Sequence, residues 1–335
     1  MANIGDVARV AGVSRATVSY LLSGKKRLTP ETTQRIEAAI AELGFSVNSG
    51  ARALATARTM TLGIVVQFHQ AEFEPALATY LVAITDAARE AGYSVLLLTD
   101  ADGPVAVRRA VSSRQVDGLV LLNVLEDDPR FAALTDSPVP AVLIGMPSDT
   151  RGIDAVDLDF ETSATVLVDH LHEHGHTVVR FVTWPSAIYD AGHTFALRFR
   201  RAAHARAAEL GVVLLDSPCR DEPGLIREDL TRHLRQADEA TALLVHNDGA
   251  VAMLPSVLHD TGLRVPQDLS VVSLHSAQLA SFFALPFTAV ESQARTAADL
   301  AVDVLMDRLR GTGPDGVRHV QLPPVLVDQG SVATR

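Results

Sequence analysis

From Thr61 onward the chain alternates short runs of Val, Ile and Leu with amphipathic stretches of helical period, and that alternation confines the fold more than any other feature. Apolar runs of about 4–8 residues read as strands buried on both faces, and the helices between them bring successive strands back parallel. The first series is LGIVVQF, a helix over roughly 74–91, YSVLLLT, a helix around 104–115, DGLVLLN and PAVLIGM. A second follows: VVRFVTW, a helix over about 195–210, VVLLDS, a helix near 225–236, ALLVHND, a helix around 250–261 and LSVVSLH. Two such series in tandem predict two doubly wound lobes, with a ligand cleft where the C-terminal ends of the strands open.

The first sixty residues follow a different pattern. Ile4, Val7, Ala8 and Ala11 are spaced for one helix, which Gly12 can end. Ser14 offers the cap of a second helix that buries Val18, Leu21 and Leu22. Thr29-Pro30-Glu31 opens a third, carrying Ile36, Ile40 and Leu43. About 100° per residue places Val18, Leu21 and Leu22 on one side of the second helix and Arg15, Ala16, Ser19 and Tyr20 on the other. The free face thus offers a guanidinium for guanine, a methyl for thymine and a phenol, the equipment of a helix-turn-helix reader.

Charge agrees with that reading. The chain carries −11 overall, yet residues 1–60 carry +4, leaving −15 on the remainder, and both lysines, Lys25 and Lys26, lie in the basic segment. A basic head on an acidic body brings only one end of the molecule to phosphates.

The strings IGDVARVAGVSRATVSYLLSG and LTPETTQRIEAAIAELGFSVNSGARALAT resemble the DNA-binding head of the LacI/GalR family. The resemblance implies base-reading positions at Arg15, Ala16 and Tyr20 and backbone-facing ones at Thr17 and Ser19, with Ser14 counted among the DNA-binding residues. It also implies that residues 48–57 form a hinge helix on DNA, with Asn48 and Arg52 at the groove and Leu54 as a minor-groove wedge. So short a segment is expected to be flexible in the free protein. Val47 stands where the family usually has proline, and Tyr20 where arginine or histidine is commoner.

Farther along, DFETSATVLVDHLHEHGHTVVRFV, ALLVHNDGAVAML and TGLRVPQDLSVVSLHS extend the resemblance over essentially the whole chain. It implies an all-α helix-turn-helix head (1–46), a hinge (47–59) and a periplasmic-binding-protein-like body (60–335). Within the body, an N-lobe spans about 60–160 and 291–325, and a C-lobe about 161–290 plus the C-terminal tail. Effector contacts carry over to Phe73, Asn123, Arg200, Asn247, Asp248 and His275. Two positions where sugar-binding members often place aspartate are Gly145 and His275, so His275 stands open to an anionic or purine-like ligand or to a satisfied imidazole at the cleft edge. The partners implied are a near-palindromic operator, a sugar, nucleoside or related effector, and a second copy of the chain in a homodimer or tetramer.

Competing chemistries find little support. Residues 172–176 read His-Glu-His-Gly-His, the letters of a metalloprotease motif, but Gly175 is expected to end the helix that would hold both histidines. No nucleophile elbow, phosphate loop or dinucleotide fingerprint occurs, so neither catalysis nor a cofactor is expected. The single cysteine, Cys219, reads as a buried hydrophobe. Neither an export signal nor an apolar span of membrane length is read, so a cytoplasmic protein is expected.

Overall fold

The N-terminal helices take their places from capping residues. The computed structural model describes residues 2–23, 27–45, 58–67, 75–135, 137–236, 239–283 and 286–335. Helix α1 (Ile4–Ala11) opens with a capping box: Asn3 Oδ1 accepts from Gly5 N at 2.8 Å, and Asn3 N donates to Asp6 Oδ2 at 3.1 Å. It closes at Gly12, whose φ of 63° suits glycine. Ser14 Oγ accepts from Thr17 N at 3.0 Å at the start of α2 (Arg15–Ser23). Thr29 caps α3 (Pro30–Leu43), with Pro30 in its first turn. The three pack around Val7, Ala8, Ala11, Val18, Ile36 and Ala39, with Leu21, Leu22, Ile40 and Leu43 against them; Ile4 is only half-buried.

The body holds two six-stranded sheets. The first contains β1 (Thr61–Val65), β2 (Ser94–Leu98), β3 (Gly118–Leu121), β4 (Ala141–Ile144), β5 (Asp154–Leu158) and β11 (His319–Leu322), in the order β11-β5-β4-β3-β1-β2 and parallel throughout. The second contains β6 (Val178–Thr183), β7 (Val213–Pro218), β8 (Ala242–Val245), β9 (Ser270–His275), β10 (Thr288–Glu291) and β12 (Leu326–Val327), in the order β12-β10-β9-β8-β6-β7. Only its edge strand β12 is antiparallel. Helices α4 (Pro75–Glu90) and α5 (Gly103–Ser112) belong to the first series. To the second belong α6 (Phe160–Glu173), α7 (Ser186–Asp190), α8 (Thr194–Leu210), α9 (Pro223–Leu234), α10 (Asp248–Thr261) and α11 (Ala277–Phe283). The chain passes between the sheets after β5, after β10 through α12 (Ala294–Arg310), and after β11, and α12 packs on α4 and on β3, β4 and β5.

In each sheet the first strand, β1 or β6, sits between its successors, so strand order reverses beside it. A doubly wound sheet opens a crevice at that reversal, beyond the strand C-termini. The two crevices face each other across the lobe boundary, and the cleft lies between them.

Helix α6 ends at Glu173, Gly175 follows with φ 85°, and His176 lies beyond it with Nδ1 2.7 Å from Thr241 Oγ1. The metalloprotease letters therefore span a helix end. Among the described residues no group of His, Cys, Asp and Glu is arranged to hold a metal ion. No helix among them is long and apolar enough to cross a membrane.

Candidate nucleic-acid interface and interlobe cleft

Helix α2 turns Val18 wholly inward and leaves Ser14, Arg15, Ala16 and Tyr20 exposed, with Thr17 and Ser19 half-buried. Tyr20 keeps 42% of its surface in solvent, although a phenol of that size is worth burying wherever the fold allows. The Arg15 guanidinium lies against the backbone of Gly5, where an added Cβ would come within 2.5 Å of Arg15 Nη2. Asn48, Arg52 and Leu54 of the proposed hinge, with Lys25 and Lys26, lie outside the described residues.

Between the lobes is a cavity of about 110 Å³. Its apolar wall includes Leu77, Leu122, Ile144, Phe160, Phe195 and Leu279, and its polar lining includes Asn123, Asp157, Thr194, Asp248, His275 and Ser276. Trp184, at the end of β6, meets Phe195 edge-on at 5.5 Å between ring centroids, and His246, after β8, stacks on Phe199 at 4.0 Å.

Polar contacts join the two walls. Asp248 Oδ2 accepts from Ala76 N at 2.6 Å, fastening α10 to the start of α4, and Oδ1 accepts from Gly249 N at 3.0 Å. Burial pushes the Asp248 carboxyl up to about 6. Arg198 on α8 donates through Nη1 to Asp157 Oδ2 on β5 at 2.8 Å, and both side chains are almost fully buried. Desolvation raises the Asp157 carboxyl to about 7, with Arg198 pulling the other way. Thr194 N and Oγ1 each donate to Val124 O at 3.1 Å, and Glu126 N donates to Gly192 O at 2.8 Å.

The residues carried over from the family resemblance divide on this map. Asn123, in the left-handed region at φ 49°, lines the cavity, as do Asp248 and His275. His275 Nδ1 lies 2.8 Å from Ser273 Oγ, and burial draws the ring down to about 4, so it is a neutral, engaged imidazole. Asn247 sits behind the wall: its Oδ1 caps α10 through Ala250 N at 2.9 Å, and its Nδ2 donates to Cys219 O at 3.0 Å. Arg200 requires correction. It points outward, pairs with Asp216 at 2.5 Å and lies 4.8 Å over the Tyr189 ring, whereas Arg198 faces the opposite lobe. Two residues along a helix turn a side chain about 200°, which separates these two fates. Phe73 lies outside the described residues.

Gly145, where sugar binders often carry aspartate, has φ 146°, and a Cβ there would come within 2.6 Å of Val124 Cβ. An aspartate is therefore shut out by backbone and neighbour together. Sequence reasoning missed Asp157, Arg198, Trp184, Phe195 and His246 as lining or bridging residues. Trp184 had a usable signal, since it is the sole tryptophan and ends a predicted strand at the crevice.

Residues 3–48 match a profile described as bacterial regulatory proteins, lacI family, and residues 168–332 match the periplasmic binding protein-like domain. The HTH-type transcriptional repressor PurR of Aliivibrio salmonicida is 25% identical, with 99% of each chain covered. The ribose operon repressor of Escherichia coli is 28% identical over 99% of this chain and 100% of its own. Among solved structures, a Lac repressor dimer bound to operator and the anti-inducer ONPF superposes with a TM-score of 0.79 at 24% identity, covering 99% of each chain. A capped three-helix head with an exposed reading face, in a chain whose body is two sheet-based lobes with a cavity between them, completes the assignment: the chain belongs to the lacI family of bacterial regulatory proteins and is a DNA-binding transcriptional regulator.

Proposed function

We propose that the chain represses transcription by binding a near-palindromic operator as a homodimer and that a small molecule held between its lobes changes that affinity. The reading face of α2 carries the proposal: Val18 is wholly buried while Arg15, Ala16 and Tyr20 stand in solvent on the other side of the same helix. Arg15, Ala16 and Tyr20 read base edges, while Ser14, Thr17 and Ser19 hold the backbone; Asn48, Arg52 and Leu54 act at the hinge. Residues 1–46 form the reader, 47–59 the hinge, and 60–335 the effector and dimer unit.

The cleft supports the second half of the reading. Contacts across it run from α8 to β5 and from α10 to α4, so a ligand that favours or opposes closure rotates the lobe joined to the hinge. Whether it releases or recruits DNA follows from which arrangement it favours. A sugar, a nucleoside or a related metabolite is the class of effector proposed; the similar Lac repressor structure holds both its operator and the anti-inducer ONPF.

The test is selection of duplexes from a random library, followed by titration with wild type and Arg15→Ala. Preference at one base position is expected to relax in each half-site, with a cost of about 1–3 kcal/mol. An equal loss on every duplex would reduce Arg15 to a phosphate contact. The effector half is checked by adding sugars, nucleosides and small acids to the protein–operator complex; a cleft ligand shifts both operator affinity and melting point.

A further inference from the structure

The cavity's own hydrogen bonding narrows what it can hold. Two of its hydroxyls donate within the protein: Thr194 Oγ1 to Val124 O, and Tyr80 Oη to Ser292 O at 3.3 Å. Asp248 takes two backbone N–H groups, Ser276 Oγ accepts from Leu279 N at 3.0 Å, and His275 faces Ser273. Among the described lining residues, two buried polar atoms have no partner in the protein, Trp184 Nε1 and His246 Nδ1. Both belong to rings within the aromatic group of Phe160, Trp184, Phe195 and His246.

A polyol entering this space would bring several hydroxyls, each costing about 1–3 kcal/mol if buried without a partner. A carboxylate would meet Asp248, which accepts from two backbone N–H groups and pairs with no cation among the described residues; Asp157 is offset by Arg198. Size points the same way. A dry apolar cavity of about 150 Å³ accepts benzene, and this one is about 110 Å³ before any lobe movement.

We propose that the cleft takes a neutral, largely apolar single-ring ligand with one hydrogen-bond acceptor for Trp184 Nε1, in place of a sugar or a carboxylate. This rests on the cleft being the effector site. It specifies a ring packed among Phe160, Phe195 and His246, with its acceptor toward the indole.

Because Trp184 is the only tryptophan, indole emission from the full-length protein reports on this cavity alone. Benzyl alcohol is the probe, set against benzoate, D-ribose, D-glucose and adenosine. Benzyl alcohol is expected to change the emission saturably and to bind at least tenfold more tightly than benzoate, with no saturable change from the other three. Trp184→Phe keeps a ring and loses the N–H, so calorimetry should show benzyl alcohol binding weakened by about three- to tenfold. Saturable binding of ribose, glucose or adenosine with benzyl alcohol silent would overturn the ligand class and leave the effector reading intact. If no probe moves the emission, the ligand class is again overturned, and the operator-release screen alone then decides the effector reading.

Discussion

Two arginines two residues apart show how differently the same side chain is used. Arg198 and Asp157 bury their charges against each other, so removing one leaves the other without compensation, a loss of about 3–5 kcal/mol. Arg200 pairs with Asp216 at the surface, where its side chain is 43% exposed, and such pairs contribute under about 1 kcal/mol. Urea unfolding of Arg198→Met and Arg200→Met should therefore give a large and a small loss; equal losses would contradict the assigned geometry. The sequence string LRFRR could not make this distinction, because the first turns of α8 enter the lobe interface and bury Thr194, Ala196, Arg198 and Phe199 on several faces. A second residue-scale prediction concerns His275, neutral in the fold with its pKa near 4, against about 6.5 when unfolded. The unfolded chain takes up a proton as pH falls below about 6.5, while the folded chain resists until about 4, so stability drops across that window. Asp248, raised to about 6, acts in the opposite direction over part of it, so the comparison must be with a variant. The stability difference between wild type and His275→Asn should shift against wild type by about 2 kcal/mol from pH 7.5 to pH 5. A pH-independent difference would show that the imidazole titrates as it does in water.

At the scale of elements, the head depends on turns as much as on its core. Gly12 ends α1 at φ 63°, and nothing lies within 4 Å of where a Cβ would stand, so Gly12→Ala changes backbone strain alone. It should lower the stability of the head by about 1 kcal/mol and weaken operator binding equally on all sequences; a changed base preference would mean that the turn itself reads DNA. This turn, like the head helices, was legible because caps and glycines are local signals. Most body strands were legible too, as unbroken apolar runs. Strand β5 was not, because its DAVDL sequence puts two carboxylates into a fully buried strand. They are tolerated because Arg308 holds Asp154 at 2.7 Å and Arg198 holds Asp157, and both arginines lie far off in sequence. Strand β10 and the two-residue β12 were missed for a simpler reason: neither has enough apolar residues to stand out from a loop. The cleft was half-legible in the same sense. Its position followed from strand order, whereas the residues joining its walls depended on pairings between lobes that no local pattern encodes.

For the whole molecule, the question is what brings two reading heads to one operator. A single helix-turn-helix reads half a site, so a dyad of chains is needed for affinity and for palindrome recognition. The acidic body cannot gain that affinity from phosphates, which leaves protein–protein contact. Its surface offers apolar side chains in both lobes: Val82 on α4, Leu97 on β2 and Val105 on α5 in one, and Val213 on β7 and Phe282 on α11 in the other, the last 74% exposed. Strands β2 and β7 each lie at one edge of their sheet, where unprotected apolar residues invite pairing unless another surface covers them. Val82→Glu combined with Leu97→Glu puts like charges on both sides of a self-complementary interface while leaving the exposed positions free to fold. Sedimentation should show the doubly substituted chain shifting from dimer to monomer. Operator binding should then become steeply dependent on protein concentration, since dimerisation must be completed on the DNA. A variant that stays dimeric with unaltered operator affinity would place the dyad elsewhere on the body, and Phe282→Glu would be the next substitution to separate the two lobes' contributions.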